Sequence, residues 1–387
     1  MAEDIKEELV NLRRDFHSNP ELDFELYRTS EKIKSFLSKE GIEYEETAKT
    51  GICGIIRGGK EGKTVAIRGD MDALPIEEKN HASYCSKEAG KMHACGHDAH
   101  TTILLGVAKL LNSIKGELKG NVKLFFEPAE ETTGGAQIMI KEGVLENPRV
   151  DAIIGLHVDE NIKVNEIGVK KGVFNAASNP FTIKIKGKGG HGAHPDATID
   201  PIVIACNVVN TLQTIVSREL KPTSPRVLTI GSIHGGTAEN IIPEEVVLKG
   251  TIRTMTLEER EYVKKRLVEV TEGIVKSMRG SAEIEIHDSY PCLYNDDKIL
   301  EFLKSSAKKV IGEDKINILE YPSMGVESFA FFSLERPSAF YFLGCRNEEK
   351  GIIHPAHNSL FDIDEACLPI GVAIQCETAV NILNNLV

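Results

Sequence analysis

The sequence has no cluster of lysine and arginine, no long apolar run at its start and no regular cysteine spacing. Each absence removes a class of function. A formal charge of −12 without a basic run argues against a nucleic-acid partner, because phosphate-backbone binding depends on clustered positive charge. The opening MAEDIKEELVNLRRDF is charged throughout, with Ile5, Leu9, Leu12 and Phe16 on one helical face. It reads as neither a secretory signal nor a membrane span, so no membrane partner and a cytoplasmic location are expected. Eight cysteines (Cys53, Cys85, Cys95, Cys206, Cys292, Cys345, Cys367, Cys376) stand singly, which fits reduced core thiols better than a disulfide framework. There is no internal repeat or low-complexity tract. At 387 residues the chain exceeds one ordinary core, and its length suggests two domains.

What is present concentrates between Lys91 and Leu111, KMHACGHDAHTTILLGVAKLL. Ile103, Leu104, Val107, Leu110 and Leu111 recur at helical spacing, so the stretch after Thr101 should bury one face and leave the His-rich run at its exposed N-terminal mouth. Cys95 and His97 are then held on a turn. Gly96 between them permits the sharp bend that lets a sulfur and an imidazole nitrogen reach one ion at about 2.0 to 2.3 Å. An isolated C-x-H is more often a buried thiol beside a helix-capping histidine. Here His93, His97 and His100 crowd one segment, and buried imidazoles need acceptors, solvent or a metal.

Along the chain, a first helix ends at Ser18-Asn19-Pro20 and a second, carrying Ile33, Phe36 and Leu37, stops at Gly41. Short apolar runs follow at Ile52 to Ile56, Thr64 to Arg68, Val122 to Phe126 and Asp151 to Leu156, interleaved with helical or loop segments. That alternation predicts an α/β sheet, whose ligands bind beyond the carboxyl ends of its strands. Three runs are followed by possible ligands: Asp70-Met71-Asp72, EPAEE and His157. From about Asn179 to Tyr290 the order becomes β-α-β-β-α-β, the ferredoxin-like split unit, which can be inserted as a compact domain of roughly a hundred residues. The expected division is therefore 1–178 and 291–387 for a discontinuous catalytic domain, with 179–290 as the insertion.

Glu130 and Glu131 are adjacent on the loop after a strand, where neighbouring side chains can diverge. Paired acids suit metal-assisted hydrolysis, since a metal needs a carboxylate ligand and the attacking water needs a base. Taken alone, such a pair is usually solvated surface, and His157 and His357 taken singly are more often core or loop histidines.

In this order, the motifs RRDFHSNPEL, RGDMDALPI, MHACGHDAHTT, PAEE, GLHV, GKGGHGAHPD, DPI, GGTAENIIPE, GTIRT and HNSLFDIDE resemble the M20 metallopeptidase and aminoacylase superfamily. The closer resemblance is to its amidohydrolase branch of N-acyl-amino-acid, hippurate and auxin-conjugate hydrolases, and it covers nearly the whole chain. It implies a zinc-exopeptidase-like catalytic α/β domain with a central mixed sheet and an inserted ferredoxin-like lid and dimerisation domain. It also implies that Cys95, His97, Glu131, His157 and His357 hold two divalent ions, with Cys95 bridging, and that Glu130 is the general base. Asp72 becomes a candidate to support the ligands from behind. His354 competes with His357 for the last ligand position, and the family's H-x-x-x-F spacing to Phe361 favours His357. Within the insertion, His191 matches the histidine that serves a neighbouring subunit's site and steadies the oxyanion. Asn240 and Arg253 match lid residues that bind substrate, the guanidinium suiting a carboxylate. His194 has no counterpart and is left as surface.

Two departures from the family pattern are Glu127, where Gln is common, and Ser328, where Asp is common. They bear on substrate preference.

The implied activity is cleavage of an N-acyl amino acid to a carboxylic acid and a free amino acid by a lid-linked homodimer. Thiolate and imidazole favour zinc, while the carboxylate also admits manganese, nickel or cobalt. A dipeptidase or carboxypeptidase of the same superfamily is the nearest alternative. An inactive ligand-binding relative is the alternative of another class, and the retained Glu130 speaks against it.

Overall fold

The computed structural model describes residues 1–386 and divides the chain into two compact units. The first contains Met1–Phe174, Tyr294–Tyr321 and the chain from Glu327 onward; the second contains Asn175–Leu293 and Pro322–Val326. The short segment Pro322–Val326, which the sequence assigns to the returning catalytic portion, packs with the second unit.

The first unit contributes strands β1 (Glu43–Thr47), β2 (Gly51–Arg57), β3 (Lys60–Asp70), β4 (Lys119–Glu127), β5 (Ala152–Lys163) and β6 (Ile167–Val169). The second follows with β7 (Ala177–Lys186), β8 (Val227–His234), β9 (Glu245–Thr254) and β10 (Ser281–Ile286), and the first resumes with β11 (Ile316–Ile318) and β12 (Ser338–Arg346). The main helices are α1 (Lys6–His17), α2 (Tyr27–Lys39), α3 (His97–Ser113), α4 (Gly135–Lys141), α5 (Pro201–Thr214), α6 (Leu257–Ser277), α7 (Asp297–Ile311), α8 (Phe329–Glu335) and α9 (Cys367–Asn385).

In the first unit the sheet runs β1-β2-β4-β3-β5-β12-β6-β11. Its middle strands β4, β3, β5 and β12 are parallel, and antiparallel pairs outside them make it the expected mixed sheet. In the second unit the order β8-β9-β7-β10 is antiparallel throughout, the arrangement of a ferredoxin-like split unit. There the alternating Phe181, Ile183 and Ile185 bury one face of β7 against Ile204, Val208 and Leu212 of α5 and Val263, Leu267 and Val275 of α6.

Helix α3 departs from the expectation drawn from its periodicity. It begins at His97, not after Thr101, and is buried from His97 through Ala108 without a solvent face. The reason is close packing on several sides. A methyl group at Gly106 would stand 2.7 Å from Val372 of α9 and 2.8 Å from Leu9 of α1, so glycine is what lets these helices approach.

The first turn of this helix is fixed by charge. Buried Arg13 of α1 donates from Nε to Asp98 Oδ2 (2.7 Å) and from Nη2 to Asp362 Oδ1 (2.7 Å). Both nitrogens of His17 face carboxylates, Nδ1 at 2.7 Å from Asp98 and Nε2 at 3.2 Å from Glu78, the pattern of an imidazolium with two donors. Burial and Arg13 oppose that charge, but Asp98 and Glu78 outweigh them and raise the His17 pKa. The motif RRDFH thereby ties α1, the start of α3 and the 362–365 segment together.

A group whose pKa is higher folded than unfolded stabilises most when protonated in both states, and its contribution fades as pH rises through the folded value. His17→Gln should therefore lower the thermal midpoint of the metal-free protein more at about pH 6 than at about pH 8.5, since the unfolded imidazole titrates near about 6.5. Thermal scans of both proteins at the two pH values check this; a deficit that widens with rising pH would contradict it.

Candidate metal centre

The chemistry-bearing side chains collect where the parallel strands of the first unit end. Register places Asp70, the last residue of β3, beside Glu127, the last of β4, and Asp72 follows two residues on. The Asp72 carboxylate accepts the backbone N–H of Glu130 at Oδ1 (2.9 Å) and of Glu131 at Oδ2 (3.0 Å). It thus aims the paired glutamates, and the same Oδ1 stands 3.4 Å from His97 Nδ1.

His157 lies inside β5 opposite Phe342 of β12, and not beyond a strand end as the apolar run suggests. The run of alternate burial simply continues past Leu156. Its Nδ1 meets the Val158 carbonyl at 2.6 Å; a carbonyl only accepts, so in the neutral ring the proton sits on Nδ1 and Nε2 is available to a cation. That nitrogen lies 3.2 Å from Cys95 Sγ.

Gly96 has φ +86°, and a Cβ there would come within 2.3 Å of Val158 Cγ2. Only glycine suits both constraints, and the turn carries Cys95 into contact with His157 while starting α3 at His97. His93, His97 and His100 are all buried rather than held at an exposed mouth. His100 is committed: Nε2 accepts the Val158 N–H (2.9 Å), so Nδ1 donates to Asp70 Oδ1 (2.6 Å), and burial pushes its pKa down to about 4. His93 joins no ligand group among the described residues, and burial pushes its pKa down to about 3.

The five ligands expected from the family come together in two sets that share one thiol. Cys95, His97 and His157 form one, and Cys95, Glu131 and His357 the other, with the ligand atoms of each set within 4.8 Å of one another. Glu131 Oε1 is 3.3 Å from His357 Nε2 and 3.8 Å from His97 Nε2. His354 belongs to no such set among the described residues. A third set joins His97 to Glu130 and Glu131. The grouping of Asp70 with His97 and His100 is discounted, because both nitrogens of His100 are already used.

The donor set fits divalent cations on its own terms. Both nitrogens of His97 and Glu131 Oε1 are buried without a hydrogen-bond partner in the protein, which is costly unless something else binds them. Burial, then Glu131, pushes the Cys95 thiol well above its usual range, whereas a cation would favour the thiolate. Burial opposes a charge on His97, but Asp70 and Cys95 raise its pKa well above the ordinary value. Burial, then Glu327 and Glu131, raises Glu130 strongly, while at Glu131 burial is opposed by His357, His97 and Cys95, which together lower the pKa.

Sequence reasoning missed the buried cation behind this centre. Arg68 donates to Glu127 Oε2 (2.6 Å), Asp70 Oδ2 (2.7 Å) and Ser328 Oγ (2.8 Å), and pairs with Glu327 (2.9 Å). An arginine closing the apolar run Val65-Ala66-Ile67 was the available signal. Glu127 and Ser328, the two departures from the family pattern, touch each other and are fully buried. Any effect they have on substrate must pass through neighbours, not through direct contact.

His191, Asn240 and Arg253 lie in the second unit. His191 is exposed on a short ribbon pairing Gly190–His191 with Ile241–Ile242, and its Nδ1 accepts the Ala193 N–H at 3.1 Å, leaving Nε2–H as a free donor in the neutral ring. Asn240 is exposed and its carbonyl accepts the Gly192 N–H at 2.8 Å. Arg253, near the end of β9, is partly buried with Nη1 unpartnered, and burial lowers its pKa.

Gly96→Ala should reduce bound metal by at least about tenfold and lower stability by roughly 2 to 4 kcal/mol, from left-handed strain together with overlap on Val158. Metal analysis and thermal scans of the purified variant check it; unchanged metal content would show that the turn does not set the site.

Three comparisons with known proteins identify the family of the chain. The family model for peptidase family M20/M25/M40 matches residues 66–381. A thermostable carboxypeptidase of Saccharolobus solfataricus is 38% identical, covering 99% of this chain and 97% of its own, and an N-acetyl-L-cysteine deacetylase of Bacillus subtilis is 40% identical, covering 98% and 89%. A crystal structure of a dinuclear metal-binding peptidase of the M20 family from Bacillus subtilis superposes with a TM-score of 0.85 at 34% identity, covering 99% of each chain.

Proposed function

The chain belongs to peptidase family M20/M25/M40 and is a metal-dependent amidohydrolase, and from that premise we propose that it cleaves N-acyl amino acids to a carboxylic acid and a free amino acid. The observation that carries the reading is the pair of ligand sets sharing Cys95, with Glu130 beside them and not needed in either. Divalent ions held by Cys95, His97, Glu131, His157 and His357 would polarise the amide carbonyl and make a water more acidic. Thiolate and imidazole donors favour zinc, with manganese, nickel or cobalt as alternatives.

The protein's own groups divide the remaining work. Glu130, raised in pKa by burial and by its acidic neighbours, is suited to take a proton from water and return it to the leaving nitrogen. The free Nε2–H of His191 suits an oxyanion, an effect often worth about 3 to 4 kcal/mol for a well-placed donor. Arg253, whose Nη1 is unpartnered, suits with Asn240 the carboxylate of the amino-acid portion. We assign His191 to the partner subunit of a homodimer built through the second unit, as the family resemblance implies; a monomer at working concentration would overturn that assignment. Eight free cysteines suit a reducing compartment such as the cytoplasm. Among the described residues, no helix is long and apolar enough to cross a membrane.

A carboxypeptidase reading shares the same metal centre, and the similarity to the Saccharolobus enzyme supports it as the alternative. A panel of acetyl-, benzoyl- and longer-chain acyl amino acids beside carboxyl-terminal peptides, assayed with each metal restored to metal-free protein, decides between them. Faster turnover of peptides than of every acyl amino acid would favour the alternative. On the best substrate, Glu130→Gln should keep its metal and KM but lose at least about a hundredfold in kcat, as removal of a general base does. Glu131→Gln should lose metal first, and the reverse pattern would exchange the two roles.

A further inference from the structure

Behind Glu130 lies a closed circuit of buried hydrogen bonds whose directions are forced by chemistry. Arg68 can only donate and an ionised Glu127 can only accept. Between them stands the Ser328 hydroxyl, which accepts from Arg68 Nη2 (2.8 Å) and therefore gives its single proton to Glu127 Oε1 (2.6 Å). Arg68 Nε closes the ring by donating to Glu127 Oε2 at 2.6 Å, and the Ala136 N–H also donates to Oε1 at 2.6 Å. All three side chains are shielded from solvent, Arg68 at 1% exposure and the other two at 0%.

The circuit reaches the proposed base through the backbone. The Ser328 N–H donates to Glu130 Oε1 at 3.0 Å. The same segment is pinned on its other side, because Glu327 Oε1 lies 2.9 Å from Arg68 Nη2 and accepts the Phe329 N–H at 3.0 Å. A shift of the Ser328 side chain must therefore move the amide that holds Glu130.

We propose that Glu127 and Ser328 form one positioning unit for Glu130, in which the hydroxyl-to-carboxylate bond on Arg68 sets where the Ser328 N–H meets the base. The inference rests on Glu130 being the proton carrier proposed above. Neither residue touches substrate in this scheme; they act through the amide. Glu127→Gln alone turns an amide N–H toward a group that also donates, either Arg68 or Ala136, and removes one negative charge from the ring. Ser328→Asp alone adds one beside Glu127. Made together, the two changes return the charge to its starting value, let Arg68 and the side-chain amide introduced at position 127 both donate to the new carboxylate, and restore a closed ring in which only the link between 127 and 328 is reversed, the Ala136 N–H alone losing its acceptor.

The test is a double-mutant cycle of Glu127→Gln, Ser328→Asp and the pair, with Ser328→Ala as a smaller lesion should either single variant fold poorly. Metal content, thermal midpoint, kcat and KM are measured for each on the best acyl amino acid. Each single variant, Ser328→Ala included, should lose at least about tenfold in kcat, since small displacements of a reacting group are costly, with KM and metal content within about twofold of the starting protein. The paired variant should recover to within about threefold of the original kcat. Losses that multiply in the paired variant would overturn the coupling. Singles that lower the thermal midpoint while kcat stays unchanged would overturn the positioning role and leave the ring merely structural. Turnover retained by Glu130→Gln would instead count against the base assignment, whatever the coupling between 127 and 328.

Discussion

The burial of more acid than base at the ends of the parallel strands is the constraint on which the first unit depends. Asp70, Asp72, Asp98, Glu127, Glu130 and Glu327 are all buried, and a charge taken out of water persists only where it is matched. Two buried arginines answer part of the demand. Arg13 fixes the start of α3 through Asp98, and Arg68 joins the ends of β3 and β4 to the segment before α8. Removing one partner from such a pair typically costs about 3 to 5 kcal/mol, so these ties hold the scaffold rigidly around the site. What they leave without a hydrogen-bond partner are both nitrogens of His97 and Glu131 Oε1, within the cluster that also contains Cys95, His157 and His357.

Rigid placement on this scaffold also separates roles between neighbours in sequence. Glu130 and Glu131 share the Asp72 carboxylate through their backbones, yet one side chain turns to the Ser328 amide and the other to His357. Burial and acidic neighbours raise the pKa of one, while at the other two imidazoles and the Cys95 thiol together outweigh burial and lower it. Adjacent residues of the same type are thereby given different environments, which suit the proposed division into base and ligand.

Much of the fold was legible because its signals are local. Apolar runs located β2 to β5, and the β-α-β-β-α-β order marked the second unit, whose 2-3-1-4 strand arrangement follows from that order. The C-x-H turn and the paired glutamates were legible for the same reason, with glycine between Cys95 and His97 as the physical cue. Other features depend on tertiary contacts that periodicity does not encode. The first turn of α3 is helical and buried because Arg13 and Asp70 supply charge partners from distant segments, so His97 and His100 are not an exposed mouth. His157 sits within β5 because β12 pairs beyond Leu156. The circuit through Arg68, Glu127 and Ser328 joins positions 68, 127 and 328, and no local pattern announces it beyond a charge at the end of an apolar run.

The central claim is that one thiol serves two cation sites. Titrating metal-free protein with cobalt(II), while following the absorption that arises from thiolate-to-cobalt charge transfer, reads this directly, because Cys95 is the thiol in both ligand sets. The account predicts that the band changes through two equivalents of cobalt per chain and is lost in Cys95→Ser. Saturation at one equivalent, or binding without a thiolate band, would contradict it.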